Sequence, residues 1–204
     1  MLTCYNLSLE VDNEILFQNL SFTCFSGGIL FIKGKNGSGK TSLLRMIAGI
    51  QNHTGEITFF KNKIEYLEKP YALYIGHKTG IRTDLTVIQN LSFWSKMYGS
   101  ELMLEASVRY WDLYDVLEVE CYKLSAGNQK KVALAKLLCC HSNLWLLDEI
   151  DSNLDSTNLH LLQNLLRTKM ETGGIVIVTS HNSIGVENSH MNTLYMEDFS
   201  KTLL

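Results

Sequence analysis

The stretch 34–41 constrains this chain more than any other. Gly34, Lys35, Asn36, Gly37, Ser38, Gly39, Lys40 and Thr41 follow an apolar run at 29–33, and Ser42 continues into a run of helix formers ending at Gly49. The pattern G-x-x-x-x-G-K-[ST] between a strand and a helix is that of a loop that wraps phosphate. Its glycines let successive backbone N–H groups turn inward, and the helix N-terminus adds partial positive charge. Lys40 neutralises β and γ phosphates, and the Thr41 hydroxyl is suited to ligate Mg²⁺. Residues 34–42 are therefore predicted to hold a nucleoside triphosphate, with Lys40 also serving catalysis.

The rest of the chain must supply a core for such a loop. Its 204 residues are 46% apolar and 19% charged, a balance that suits one compact domain and excludes a disordered chain. Eighteen basic against 21 acidic residues leave a net charge of -3, which argues against nucleic acid as the main ligand. No apolar run approaches the ~18 residues of a membrane helix, and residues 1–10 lack signal-peptide features, so the chain is not expected to cross a membrane. Five cysteines, an odd number with no C-x-x-C pair, suit a reducing compartment; Cys139 and Cys140 are expected to be packing residues.

Hydrophobic periodicity predicts strands at 3–10, 14–24, 28–33 and 55–60, with a turn at Asp12-Asn13 and a helix at 40–49. Helical spacing then runs through 86–122, with Leu91, Trp94, Met97 and Tyr98 on one face and a second stretch at 102–117. A helix at 126–140, a buried strand at 144–147, a helix at 157–172 and a strand at 175–179 follow. Apolar strands alternating with helices predict an α/β fold with a parallel sheet covered on both faces.

The loop alone leaves kinase, GTPase and ATPase chemistry open. The strand 144–147 narrows the choice because it ends in Asp148 and Glu149. The first carboxylate is placed to hold Mg²⁺, and the second to polarise an attacking water, which suggests nucleotide hydrolysis. Two acids capping the next helix would be the purely structural alternative.

Leu124, Ser125, Ala126, Gly127 and Asn128, just before a helix and about twenty residues ahead of Asp148, resemble the LSGGQ signature of ATP-binding cassette (ABC) ATPases. Ser125 caps the helix, and its hydroxyl with the first free N–H groups makes an anion site. Ser152, Asn153, Leu154 and Asp155 look like the family's D-loop. Thr179, Ser180 and His181 end a strand as its switch histidine does.

The resemblance covers essentially the whole chain. It implies a P-loop NTPase with a mainly parallel RecA-like sheet, an N-terminal antiparallel β subdomain and a small helical subdomain. One domain spans 1–204, with 1–80 and 129–204 as the nucleotide-binding core and about 81–128 as the helical part. In the family, two protomers sandwich two ATP molecules, so Ser125, Gly127, Asn128 and Asp155 of one chain are expected to meet nucleotide held by the loop of another. The resemblance further implies catalysis by Glu149, His181 and Lys40, with Mg²⁺ on Thr41 and Asp148.

Departures from the pattern are specific. Val11 stands where an adenine-stacking aromatic is usual, with Tyr5 as an alternative platform or, as strand aromatics commonly are, a core residue. His77 replaces the Q-loop glutamine, which would make the site sensitive to pH. Ala126 replaces a glycine and requires a negative φ there. His53, His141, His160 and His190 are expected to be surface or packing residues.

The strings Tyr74-Ile75-Gly76-His77, Gly80 to Thr86 and Asn90-Leu91-Ser92-Phe93-Trp94 are similar to those of the ATP-binding subunits of bacterial haem exporters of cytochrome c maturation. That likeness implies a homodimer on the cytoplasmic face of the inner membrane, coupled through the helical insert to integral membrane permease subunits. Phe93 and Trp94 are then either a core helix face or a partner contact. A transporter ATPase for another substrate, or a non-transport ABC ATPase, are the alternatives.

Overall fold

The computed structural model describes residues 1–68, 70–76, 80–152, 154–180, 184–186 and 190–200. Two sheets form its frame. Strands β1 (Leu2–Val11) and β2 (Glu14–Cys24) make an antiparallel hairpin through Asp12 and Asn13, whose φ of 51° and 65° give the left-handed pair that a two-residue turn demands. β4 (Thr54–Phe59) pairs with β1, and the short β5 (Asn62–Lys63) closes the sheet in the order β2-β1-β4-β5. The turn between β4 and β5 has Phe60 and Lys61 at φ 49° and 69°, a hairpin with no glycine or asparagine to announce it.

The second sheet is parallel throughout, in the order β6-β7-β8-β3-β9. Its strands are β3 (Ile29–Lys33), β6 (Leu73–Ile75), β7 (Leu144–Asp148), β8 (Ile175–Thr179) and β9 (Met191–Tyr195). Every residue of β7 and β8 is buried, as expected for strands covered on both faces.

Helix α1 (Lys40–Ile47) and the antiparallel sheet pack against one face, where Leu30, Ile32, Leu44, Leu146 and Ile177 share a core with Leu7 and Phe17. The opposite face is covered by α2 (Val87–Met97), α3 (Leu104–Tyr110), α4 (Ala126–Cys139) and α5 (Ser156–Glu171), around a core holding Phe31, Leu91, Trp111, Leu134, Leu147 and Leu166. All five cysteines are free and buried, Cys139 and Cys140 among them.

Helix α3 packs on α4 and α5 through polar ties as well as apolar surface. Ser107 Oγ donates to the Ala135 carbonyl at 2.6 Å, and Tyr110 Oη reaches the Leu161 carbonyl on α5 at 2.8 Å. Asn90, 2% exposed, accepts from Arg82 N at 2.8 Å and donates from its amide to the Arg82 and Thr86 carbonyls. One side chain thereby satisfies the backbone of the loop entering α2.

The stretch 102–117 is not one helix. It divides into a 3₁₀ turn at Glu101–Met103, α3 and a second 3₁₀ turn at Tyr114–Val116, because Asp112 at φ 51° ends α3. Trp94 is half-buried against the core, whereas Phe93 on the same helix is 55% exposed. Tyr5 is 68% exposed, so it is not a core residue. Alternation from the buried Leu2 and Cys4 already turns Tyr5 outward, and Asn6 at φ 53° then breaks the alternation, so that Asn6 faces outward as well.

Candidate functional site

The site lies at the carboxyl ends of β3, β7 and β8, where an open parallel sheet offers a crevice. β3 leads into the loop 34–41, which enters α1 through Gly39 at φ 93°. A Cβ on Gly39 would stand 2.9 Å from the Phe17 ring, so both backbone conformation and space require glycine there. Gly37 is also left-handed, at φ 82°, but faces open space. Lys35, Asn36 and Gly37 are exposed, Gly34 and Ser38 are half-buried, and Ser42 lies half-buried in the first turn of α1.

Lys40 is 8% exposed, and its ammonium donates to the carbonyls of Gly34 at 2.7 Å and Lys35 at 2.9 Å. The cation is thus held inside its own loop, where phosphate oxygens would meet it. Ser38 Oγ is buried and finds no hydrogen-bond partner among the described residues, a polar atom in the loop interior left for a ligand to satisfy.

Asp148 connects the loop to the sheet. One carboxylate oxygen accepts from Thr41 Oγ1 at 2.8 Å and the other from Thr179 Oγ1 at 2.6 Å, with the residue 1% exposed. A buried carboxylate beside a hydroxyl is a hard oxygen pair, the donor chemistry that Mg²⁺ prefers. Glu149 follows at φ 49°, half-buried, its N–H donating to both the carbonyl and the hydroxyl of Thr179 at 3.0 and 2.9 Å. Ile150, where proline is common, is fully buried.

The signature lies on a second element. Ser125 is the N-cap of α4 and its hydroxyl accepts from Asn128 N at 3.2 Å. Ala126 opens the helix in right-handed backbone, so the φ requirement of this position is met. Ser125 is exposed and Gly127 and Asn128 are half-buried. Gln129, the next residue, donates back to the Cys121 carbonyl at 2.9 Å and fixes the approach to the helix. Asp155 is exposed and caps α5, accepting from Asn158 N at 2.8 Å.

His77 and His181 fall outside the described residues, as does Asn153. His141, His160 and His190 are exposed, and His53 is half-buried with Nε2 3.5 Å from Glu65. Val11, at the outer end of β1, is 42% exposed.

Three residues join the site that sequence reasoning did not assign. Thr179 ties Asp148 to Glu149. Lys130, on α4 and 3% exposed, donates to the Glu149 carbonyl at 3.0 Å. Burial pushes its ammonium pKa down, opposed by the carboxylates of Asp151, Glu149 and Asp148. Glu197, from the 3₁₀ turn after β9, accepts from Lys35 N at 2.9 Å, and these backbone hydrogen bonds hold its carboxyl pKa below the usual range. The Thr179-Ser180-His181 string was a faint signal for the first; nothing in the sequence pointed to the other two.

Residues 17–152 match the ABC transporter family model. The chain is 46% identical over 192 residues to the cytochrome c biogenesis ATP-binding export protein CcmA of Rickettsia bellii, covering 94% of this chain and 98% of that one. It is 38% identical to the protein of the same name from Wolbachia pipientis wMel, with both chains covered in full. In fold it is similar to an ABC transporter ATP-binding protein from Pyrococcus furiosus, at a TM-score of 0.80 and 21% identity over 98% of this chain and 99% of that one. It is also similar to a dimeric ATP-binding cassette in a post-hydrolysis state with ADP and Pi, at a TM-score of 0.77 and 21% identity over 89% and 88% of the two chains. The phosphate loop, the paired acids, the capped signature helix and these relatives agree: the chain belongs to the ABC transporter family, as an ATPase of that family.

Proposed function

We propose that this chain is the ATP-hydrolysing subunit of a membrane ABC complex for cytochrome c biogenesis, where it energises haem export or the release of a haem-loaded chaperone. Hydrolysis is supported by one continuous hydrogen-bonded path, from Thr41 through Asp148 and Thr179 to the Glu149 amide. The specific process is supported by the relatives that bear that name over 94% of this chain.

In the proposed reaction the loop amides and Lys40 bind the β and γ phosphates. Glu149 takes a proton from the water that attacks the γ phosphorus, and ADP leaves with the bridging oxygen. Thr41 and Asp148 would hold Mg²⁺, which would supply neutralisation of the phosphate charge. By the resemblance to the family, His181 would donate a hydrogen bond to the γ phosphate and His77 would act at the Q-loop position. Ser125, Gly127 and Asn128 of a second copy close over the triphosphate, with Asp155 at the seam. The homodimer works at the cytoplasmic face of the membrane, gripping integral permease subunits through residues 81–128, where Phe93 and Leu102 are 55% and 97% exposed. Among the described residues no helix is long and apolar enough to cross a membrane; the proposed attachment is peripheral.

The reading is tested in two steps. Glu149→Gln is expected to stop ATP turnover, retain ATP and sediment as a dimer when ATP is present, whereas Lys40→Ala loses nucleotide binding. Turnover of the Gln variant at the parent rate would remove Glu149 as the base. Cells depleted of the chain are expected to lose haem attachment to cytochrome c; intact attachment would refute the biological role.

A further inference from the structure

We propose that Lys130 is a positioning residue for the Glu149 carboxylate, clamping the Glu149 peptide from the signature helix α4. The inference rests on Glu149 being the water-activating base, and it adds a residue to that reading.

Glu149 has a left-handed φ of 49°, a conformation that a residue with a Cβ keeps only when its surroundings hold it. The contacts at both ends of the residue supply that hold. The N–H is fastened to the Thr179 carbonyl and hydroxyl. The carbonyl accepts from Lys130 Nζ at 3.0 Å and from Ser152 Oγ at 2.9 Å, and the same ammonium donates to Ser152 Oγ at 3.3 Å. Lys130 therefore grips both the strained residue and the turn that folds back on it. Long cationic side chains are rarely buried to this degree, and here the cation is spent on a backbone carbonyl at the end of β7.

With the carbonyl fixed, φ and ψ of Glu149 are fixed, and so is the direction in which its side chain leaves the backbone. Lys130 lies just over one helical turn beyond Ser125, so the aim of the carboxylate is set by the same helix that presents the signature. Displacing a base by about 1 Å costs on the order of a hundredfold in rate; loss of one of several tethers should cost less.

The test uses the purified full chain and four variants: Lys130→Met, Lys130→Arg, Glu149→Gln and the double variant Lys130→Met with Glu149→Gln. Lys130→Met, which keeps an unbranched apolar stem one atom shorter and removes the charge, is expected to lower kcat about tenfold with KM for ATP and the affinity for a fluorescent ATP analogue unchanged. Lys130→Arg, which still donates, retains most of the parent kcat. On the residual turnover of Glu149→Gln the Lys130 change adds no further loss in the double variant, because the carboxylate it positions is gone.

Parent-like kcat in Lys130→Met, a KM rise in place of the kcat loss, or multiplicative losses in the double variant would overturn the proposal. So would loss of kcat in Lys130→Arg with a parent-like melting curve, a result that decides even if Lys130→Met folds poorly. Turnover at the parent rate in Glu149→Gln would instead sink the base assignment itself, independently of what Lys130→Met does.

Discussion

A single hydroxyl organises the centre of this site. Thr179 Oγ1 donates to Asp148 at 2.6 Å and accepts from the Glu149 N–H at 2.9 Å, so one atom holds both acids at the end of β7. Thr179→Val keeps the β-branched shape that suits β8 but deletes both bonds, leaving a buried carboxylate oxygen short of a donor. The expected cost is about 2 kcal/mol in denaturant unfolding, together with a lower kcat; parent-like stability and turnover would show the hydroxyl to be dispensable. Lys40 and Thr41 could be placed from sequence because the spacing of the loop motif reflects local geometry, and Asp148 because it ends a buried apolar strand, although Thr41 reaches it across 107 residues of chain. Thr179 and Lys130 act on Glu149 across 30 and 19 residues of chain, and that pairing exists only after β7 and β8 align and α4 docks. Tyr5 departs from the tendency of strand aromatics to be core residues because the alternation of β1 turns it outward beside the buried Cys4.

The elements divide by the strength of their signals. β2 and β8 fall at their predicted bounds, and β3, β4 and α4 within a residue or so, because apolar runs and periodic faces mark them. β6 is apolar but spans only three residues, too few to show a period, and β9 is mostly exposed, buried only at Leu194 among its five positions. Both become strands by pairing with neighbours already in place, β7 and β3. Helix α2 shows how local chemistry sets a boundary. Thr86 accepts from Gln89 N at 3.3 Å while Gln89 Oε1 accepts from Thr86 N at 3.0 Å, a reciprocal capping box. Thr86→Ala is expected to destabilise the protein by about 1 kcal/mol, read as a fall in thermal midpoint, without altering ATP affinity. A change in ATP affinity would mean that the cap also shapes the nucleotide site.

At the scale of the whole molecule, two cores lie on opposite faces of one parallel sheet, and a buried cation marks the helical side. Lys136 on α4 is 1% exposed, with its ammonium 4.6 Å from the Trp94 ring centre, and burial pushes its pKa from 10.5 down to about 8. Below about pH 8 both folded and unfolded chains carry this proton, and the folded state bears the full cost of burying it. Between about 8 and 10.5 the unfolded chain holds more protons, so this group's contribution to stability rises with pH. Lys136→Met is therefore expected to remove this pH dependence, so that its stability relative to the parent is highest below about pH 8 and falls between about 8 and 10.5. A pH-independent gap in denaturant midpoints would refute a charged, buried Lys136.

The sequence by itself determined the phosphate loop, the acids that follow β7, the capped signature and the alternation of strands and helices, because each is encoded within a few neighbouring residues. Only the tertiary structure decided which side chains brace the acids, which weak segments become edge strands and which cation is buried. Those outcomes depend on contacts between distant parts of the chain, and such contacts have no period or spacing in the sequence.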